Sequence, residues 1–194
     1  MKKETFLTQF LLNSTDSIVK EKEFLFASPQ TLTPAAVLIP IIEQNNQLEV
    51  ILTRRASHLT HHAGQISFPG GKVEKYDKNI TATALRETYE EIGLSENNIN
   101  VIGTLPRYHT ITGYDITPVL GLITPPFQYD LDSNEVAEIF HVPLNHFLNS
   151  DNHIALTVYR NLTSYPIYYI PYKHYNIWGV TALILKRLAE QLKP

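Results

Sequence analysis

Cysteine is absent from all 194 residues, which excludes a disulfide framework, a thiolate nucleophile and a zinc-thiolate site and fits an intracellular protein. Cationic residues are not in excess, with 16 Lys and Arg against 19 Asp and Glu and a formal net charge of −3. That balance argues against a nucleic-acid binder, whose affinity comes from clustered cations facing phosphates. A small anionic ligand would therefore need local positive charge or a metal. Long apolar runs are missing too. None approaches the roughly 18 residues of a membrane span, and the apolar stretch after Met1-Lys2-Lys3-Glu4 is broken at Asn13-Ser14-Thr15-Asp16, too early for a signal peptide. The expectation is a soluble, cytoplasmic protein that works without membrane or nucleic acid.

What is present is a chain of ordinary globular composition, 43% hydrophobic. Phe6, Leu7, Phe10 and Leu11 recur at helical spacing and predict an amphipathic helix over 5–12, on the outside of the domain. Two β-branched segments, 35–42 and 48–53, flank a polar loop of hairpin length and read as antiparallel strands. A short strand over 65–68 is expected to end in a loop at Pro69-Gly70-Gly71. Residues 79–92 read as a helix with Leu85, Thr88, Tyr89 and Ile92 on its inner face and Gly93 as a left-handed cap. Further strands are expected at 100–104, 116–123, 154–159 and 165–172. A last helix over 178–192 presents Ala182, Leu185, Leu188 and Ala189 inward. Strands interleaved with helices imply an α/β sandwich.

The helix at 79–92 carries the chemistry. Glu87, Glu90 and Glu91 fall at i, i+3 and i+4, so their side chains are neighbours and repel one another unless a cation or protonation relieves them. Hard divalent cations take such oxygen ligands together with phosphates and water. Taken alone, the helix reads more readily as a solvated acidic face. The glycine loop just before it favours a site, because the backbone at Gly70 or Gly71 can come close to a metal where no side chain intervenes. Arg86 can pair with Glu90 one turn on and fix its orientation.

Gly71, Asp77 and Arg86-Glu87-Thr88-Tyr89-Glu90-Glu91-Ile92-Gly93-Leu94 resemble the Nudix box, G-x5-E-x7-R-E-U-x-E-E-x-G-U. Three departures stand out: Asp77 occupies the first glutamate position, the gap to Arg86 is one residue longer, and Thr88 replaces an aliphatic. The resemblance implies the Nudix fold, a mixed β-sheet sandwiched between α-helices (α/β/α), over residues 31–194, with 1–30 as a helical extension. It implies metal-dependent hydrolysis of a nucleoside-diphosphate derivative with Mg²⁺ or Mn²⁺. Glu87, Glu90 and Glu91 would hold the metal, Glu87, Glu90 and Arg86 would form the catalytic set, and Asp77 is not assigned to the metal.

Leu52-Thr53-Arg54-Arg55-Ala56 and residues 64–71 further resemble the signature of the coenzyme A pyrophosphatase branch, as do the segments around Glu135 to Phe140 and Ile177 to Ala182. Thr60 stands where that signature usually has arginine. The implied substrate is coenzyme A or acyl-coenzyme A, with Arg55, Gly70 and Gly71 contacting it. Of the two arginines only one can point to the site, since neighbours on a strand alternate faces. One of His58, His61 and His62 is expected to meet a 3′-phosphate or to compensate for the absent arginine, rather than to bind zinc. Glu90, Glu135 and Glu138 all remain open as the general base, the last two being equally readable as acids of a helix N-terminal turn. The tyrosines from Tyr165 to Tyr175 and Trp178 are expected to pack in the core or at a sheet edge, Trp178 beneath the sheet. ADP-ribose hydrolysis, a nucleotide-sensing module without catalysis, and a homodimer are left open.

Overall fold

The computed structural model describes residues 1–13, 32–60, 62–110, 112–160 and 163–193. The expectation for His61 falls outside them, as does the rest of the 1–30 extension after Asn13. The elements run α1 (Lys3–Leu12), β1 (Thr33–Gln44), β2 (Gln47–Arg55), β3 (Ile66–Ser67), β4 (Gly70–Lys72), α2 (Ile80–Ile92) and β5 (Ile99–Thr104). There follow β6 (Tyr108–His109), β7 (Tyr114–Ile123), β8 (Val136–Pro143), α3 (Leu144–Leu148), β9 (Ile154–Arg160), β10 (Thr163–Tyr169) and α4 (Gly179–Gln191).

One mixed eight-stranded sheet forms the middle layer, with β3-β2-β1-β7-β5 as its path. β1 and β7 are parallel from Thr33 opposite Tyr114 to Ile42 opposite Ile123. All other pairings are antiparallel. Side chains alternate between the two faces of each strand, so each face builds its own core. Ala36, Leu38, Ile51 and Val119 pack with Ala84, Ile92 and Leu94 of the α2 layer. Ile39, Ile41, Val50, Leu52, Leu120 and Leu122 pack with α4 through Leu185 and Leu188 and with α1 through Phe6 and Phe10. The expected α/β/α sandwich is the fold observed.

Four local expectations change. Gly70-Gly71-Lys72 continues as a strand, because its backbone pairs with Ala35, Ala36 and Val37 of β1. Residues 136–143 form a full strand along β2 rather than a helix start. The inner face of α2 is Ala84, Thr88 and Ile92, and Tyr89 points to solvent. Trp178 lies at the surface, stacked on Tyr169 with ring centroids 6.1 Å apart.

Candidate active site

The α2 helix is held at both ends by signals written into its sequence. Asn79 caps its first turn through a 2.9 Å bond from the Ala82 N–H. Gly93 closes it at φ +70°, a conformation that costs other residues energy. A side chain there would also collide with Asp130, since a Cβ would stand 2.7 Å from the Asp130 Cβ. Asp130 and Asp132 donate their N–H groups to the carbonyls of Ile92 and Glu91. The loop ahead of β8 is thus fastened to the helix end, and the Glu135 carbonyl in turn accepts from the Ala56 N–H at the end of β2.

Arg86 is the hub of the acidic face. Its Nε and Nη2 grip the two oxygens of Asp77 at 2.9 and 3.0 Å, Nη2 also donates to the Lys72 carbonyl, and Nη1 bonds Glu87 at 2.8 Å and Glu90 at 2.9 Å. The expected Arg86–Glu90 pair is present. Asp77 accepts further from the Glu74 N–H and the Thr83 hydroxyl. The guanidinium fork holds the Asp77 carboxyl well below the usual carboxylate range. Asp77 is one methylene shorter than glutamate and sits one residue further from Arg86 in sequence, yet makes a two-pronged contact. Thr88 is fully buried and pays no polar penalty, because its hydroxyl donates to the Ala84 carbonyl at 2.7 Å.

The three helix acids have different surroundings. Glu90 is 53% exposed at the rim. Glu87 lies over Gly71 so closely that a Cβ on the glycine would stand 2.4 Å from its carboxyl carbon. Glu91 is only 4% exposed, with Arg55 Nη1 3.7 Å away. Burial pushes Glu91 up to about 8, against the pull of Arg55 and a backbone hydrogen bond from Gly70, and the charges of Glu135 and Glu87 add to the rise. Burial likewise raises Glu87, which also feels Glu90 and Glu135. Glu87, Glu91 and Glu135 therefore form one electrostatically coupled group.

Arg55 faces this group and Arg54 does not. A bulge between them leaves Arg54 opposite Glu138 and Arg55 opposite Val136. Arg54 bonds Glu138 at 2.9 Å, and the Tyr175 hydroxyl donates to the same carboxylate. Glu138 is occupied on the α4 side of the sheet, and Glu135 is the later acid that reaches the helix. His58 and Thr60 are exposed, and His62 bonds Gln65 at 2.8 Å. A groove of about 570 Å³ lined by Pro34, Ile80, Leu105, Arg107, Asp115 and Thr117 lies at the other end of α2, and Glu87, Glu90, Glu91 and Glu135 do not line it.

Residues that the sequence did not single out support the loop ahead of β8. His141 of β8 bonds Glu49 of β2 at 3.1 Å and the Tyr129 hydroxyl at 2.9 Å. Tyr129 also packs edge-on against Phe127. Glu49, Tyr129 and His141 are far apart in sequence, and no local pattern marks them.

Among the described residues, no three acids or histidines converge tightly enough to chelate one ion in this side-chain arrangement. The donor set nevertheless fits a hard cation: all its ligating atoms are oxygens, one carboxylate lies where a β-carbon would otherwise stand, and another is buried without full neutralisation.

Two outcomes follow from these environments. In a divalent-free buffer, a carboxyl raised from 4.5 to about 8 favours the fold most below pH 4.5 and loses that contribution as pH climbs to about 8. Thermal stability should fall over this interval by on the order of a few kcal/mol, and Glu91→Gln should flatten most of the slope. A slope unchanged in the variant would place the titration elsewhere. Gly71→Ala should displace the Glu87 carboxyl and lower turnover by about 10–100-fold with little change in far-UV circular dichroism. Wild-type turnover would show that the contact is not needed.

A family model for the NUDIX domain matches residues 32–162. The chain belongs to the Nudix family, the hydrolases of pyrophosphate bonds. It is 42% identical over 158 residues to the protein called "Uncharacterized Nudix hydrolase NudL" from Escherichia fergusonii, covering 81% of this chain and 82% of the relative. The protein of the same name from Citrobacter koseri is 40% identical over the same coverage. Among solved structures, a NUDIX hydrolase from Alicyclobacillus acidocaldarius superposes with a TM-score of 0.54 at 17% identity, over 84% of this chain and 93% of that one. A MutT/nudix family protein from Enterococcus faecalis gives 0.53 at 16% identity, over 96% and 73%. These two likenesses speak to the fold.

Proposed function

We propose that the chain hydrolyses the pyrophosphate linkage of coenzyme A or acyl-coenzyme A, giving 3′,5′-ADP and 4′-phosphopantetheine. The observation that carries the hydrolytic reading is the burial of Glu91 beside Glu87 and Glu135 with its charge incompletely balanced. Such a group is stable as carboxylates only with a cation among them. Glu87, Glu90 and Glu91 would hold Mg²⁺ or Mn²⁺, which would supply neutralisation of phosphate charge and a lowered pKa of water. Arg86 orients Glu87 and Glu90 from behind, while Asp77 anchors Arg86. Glu135, whose charge acts on both Glu87 and Glu91, is one candidate for an added proton acceptor, and Glu90 is the other. Arg55, whose Nη1 lies 3.7 Å from Glu91, would offer its guanidinium to a substrate phosphate.

The coenzyme A reading is supported by where its signature lies. Residues 64–71 form the wall of the site: Ile66 pairs with Arg54, the Arg55 N–H donates to the Gln65 carbonyl, and Gly71 carries Glu87. The test is steady-state hydrolysis of coenzyme A, ADP-ribose and NADH with Mg²⁺ or Mn²⁺, wild type against Glu90→Gln, with products separated chromatographically. Coenzyme A turnover that collapses in the variant supports the assignment. Turnover confined to ADP-ribose or NADH would replace coenzyme A as substrate, and no turnover of any of them would leave a nucleotide sensor.

A further inference from the structure

Residues 124–135 join β7 to β8 without helix or strand and bring the charge of Glu135 to the helix acids. A connection of this length holds one shape only where other parts of the chain pin it. Asn98 takes its start, donating from Nδ2 to the carbonyls of Thr124 and Pro126 at 2.9 and 3.0 Å. The last turn of α2 takes its middle, at the N–H groups of Asp130 and Asp132. Both sets of bonds use only the loop's backbone. Tyr129 is different, because its hydroxyl bonds a side chain of the sheet.

That side chain is His141 of β8, whose Nε2 lies 2.9 Å from the Tyr129 hydroxyl and whose Nδ1 lies 3.1 Å from a Glu49 carboxylate oxygen of β2. Ile51 stands opposite His141, so Glu49, two residues along the strand, shares its face. A carboxylate only accepts, so Nδ1 carries a hydrogen towards Glu49. In the neutral ring Nε2 then accepts, and the Tyr129 hydroxyl donates to it. Burial, with the Glu49 charge beyond it, raises Tyr129 and keeps that donor protonated. The rings add orientation: Tyr129 meets His141 and Phe127 edge-on, with centroids 6.0 and 5.2 Å apart. His141 and Glu49 are only 21% and 22% exposed. Apolar side chains would cover this edge of the sheet at a lower desolvation cost, whereas a polar chain with one defined direction fixes a single geometry.

We propose that His141 is a positioning residue for the hydrolytic site: it holds Tyr129, and with it the loop over 129–135, so that Glu135 keeps its place beside Glu87 and Glu91. The role of those acids rests on the proposed hydrolysis; the positioning rests on the hydrogen-bond chain. At its far end the loop is tied next to Arg55, where the Glu135 carbonyl accepts from the Ala56 N–H. A Tyr129 without its partner lets the bonds of Asp130 and Asp132 fray, since backbone bonds at a helix end open together with their neighbours. Glu135 then samples positions away from the acids. That slows the chemical step and leaves substrate binding at Arg55 and Gly71 intact.

Amide hydrogen exchange and steady-state kinetics on the full chain test this with three variants. Tyr129→Phe removes one oxygen and keeps both ring contacts. His141→Asn places an amide where Nδ1 was, which keeps the partner of Glu49 and loses that of Tyr129; His141→Gln places one where Nε2 was and does the reverse. Tyr129→Phe and His141→Asn should speed exchange at Asp130, Asp132 and Glu135 by about 10-fold. They should also lower kcat by about 10-fold with KM within about twofold, on whichever of coenzyme A, ADP-ribose and NADH the wild type turns over. His141→Gln should stay within about threefold of wild type in exchange and kcat, because the loop keeps its bond. Faster exchange with unchanged kcat overturns the positioning role alone. So does unchanged exchange, or a His141→Gln variant as impaired as His141→Asn, which would make ring packing the whole effect. No turnover of any of the three substrates by the wild type would instead sink the hydrolytic reading and the role drawn from it.

Discussion

Glu87→Gln is expected to lower kcat for pyrophosphate hydrolysis by about 10²–10⁴-fold while leaving the melting temperature unchanged or slightly higher. The two halves of this expectation come from one environment. Burial already disfavours the Glu87 charge, so a neutral amide of the same shape relieves an unfavourable term in the empty protein. Under the proposed function the same charge would help to hold the cation. Paired kinetics and calorimetry separate these effects. A variant that loses activity and melts well below wild type would show Glu87 acting mainly as a structural partner of Arg86.

Arg86→Ala should have the largest effect on stability, about 1.5–3 kcal/mol, or roughly 5 °C in the melting temperature. The arginine makes bonds to Asp77, Glu87, Glu90 and the Lys72 carbonyl, and its removal leaves the Asp77 carboxylate enclosed without a cation. Asp77→Asn in the same chain should restore part of the loss, because the stranded charge goes with it. Turnover would not be rescued, since Glu87 and Glu90 stay without their common anchor. Melting of the single variant at the wild-type temperature would contradict the hub role.

The sequence made α2 legible almost to the residue, because Asn79 and Gly93 are caps whose physics is local. The apolar, β-branched runs of β1, β2 and β7 were equally plain. What escaped depends on partners distant in the chain. Gly70-Gly71-Lys72 has too little side chain to show a period, and only the open edge of β1 makes it a strand. Residues 136–143 carry Glu138 and His141 within an apolar pattern, and both are accommodated by cross-strand partners, Arg54 and Glu49, that sequence does not reveal. On α2 the more hydrophobic stripe through Tyr89 competed with the one through Ala84, and the small residue won because it lets the helix approach the sheet. The acid spacing was visible, but the burial of Glu91 was not. It is produced by a loop and an arginine contributed from elsewhere in the fold.

The parallel pairing of β1 with β7 bears on how the molecule assembles. Everything from β2 to β6, α2 included, lies within the connection between these two central strands. Joining them closes a long loop, a slow step of high contact order, and the loop carrying Glu135, which follows β7 in the chain, comes to the helix acids beyond it. The proposed cation site is therefore expected to gain Glu135 late in folding. Bound metal should act on the unfolding rate and leave the refolding rate nearly unchanged, so that the loaded protein owes its persistence to slow opening.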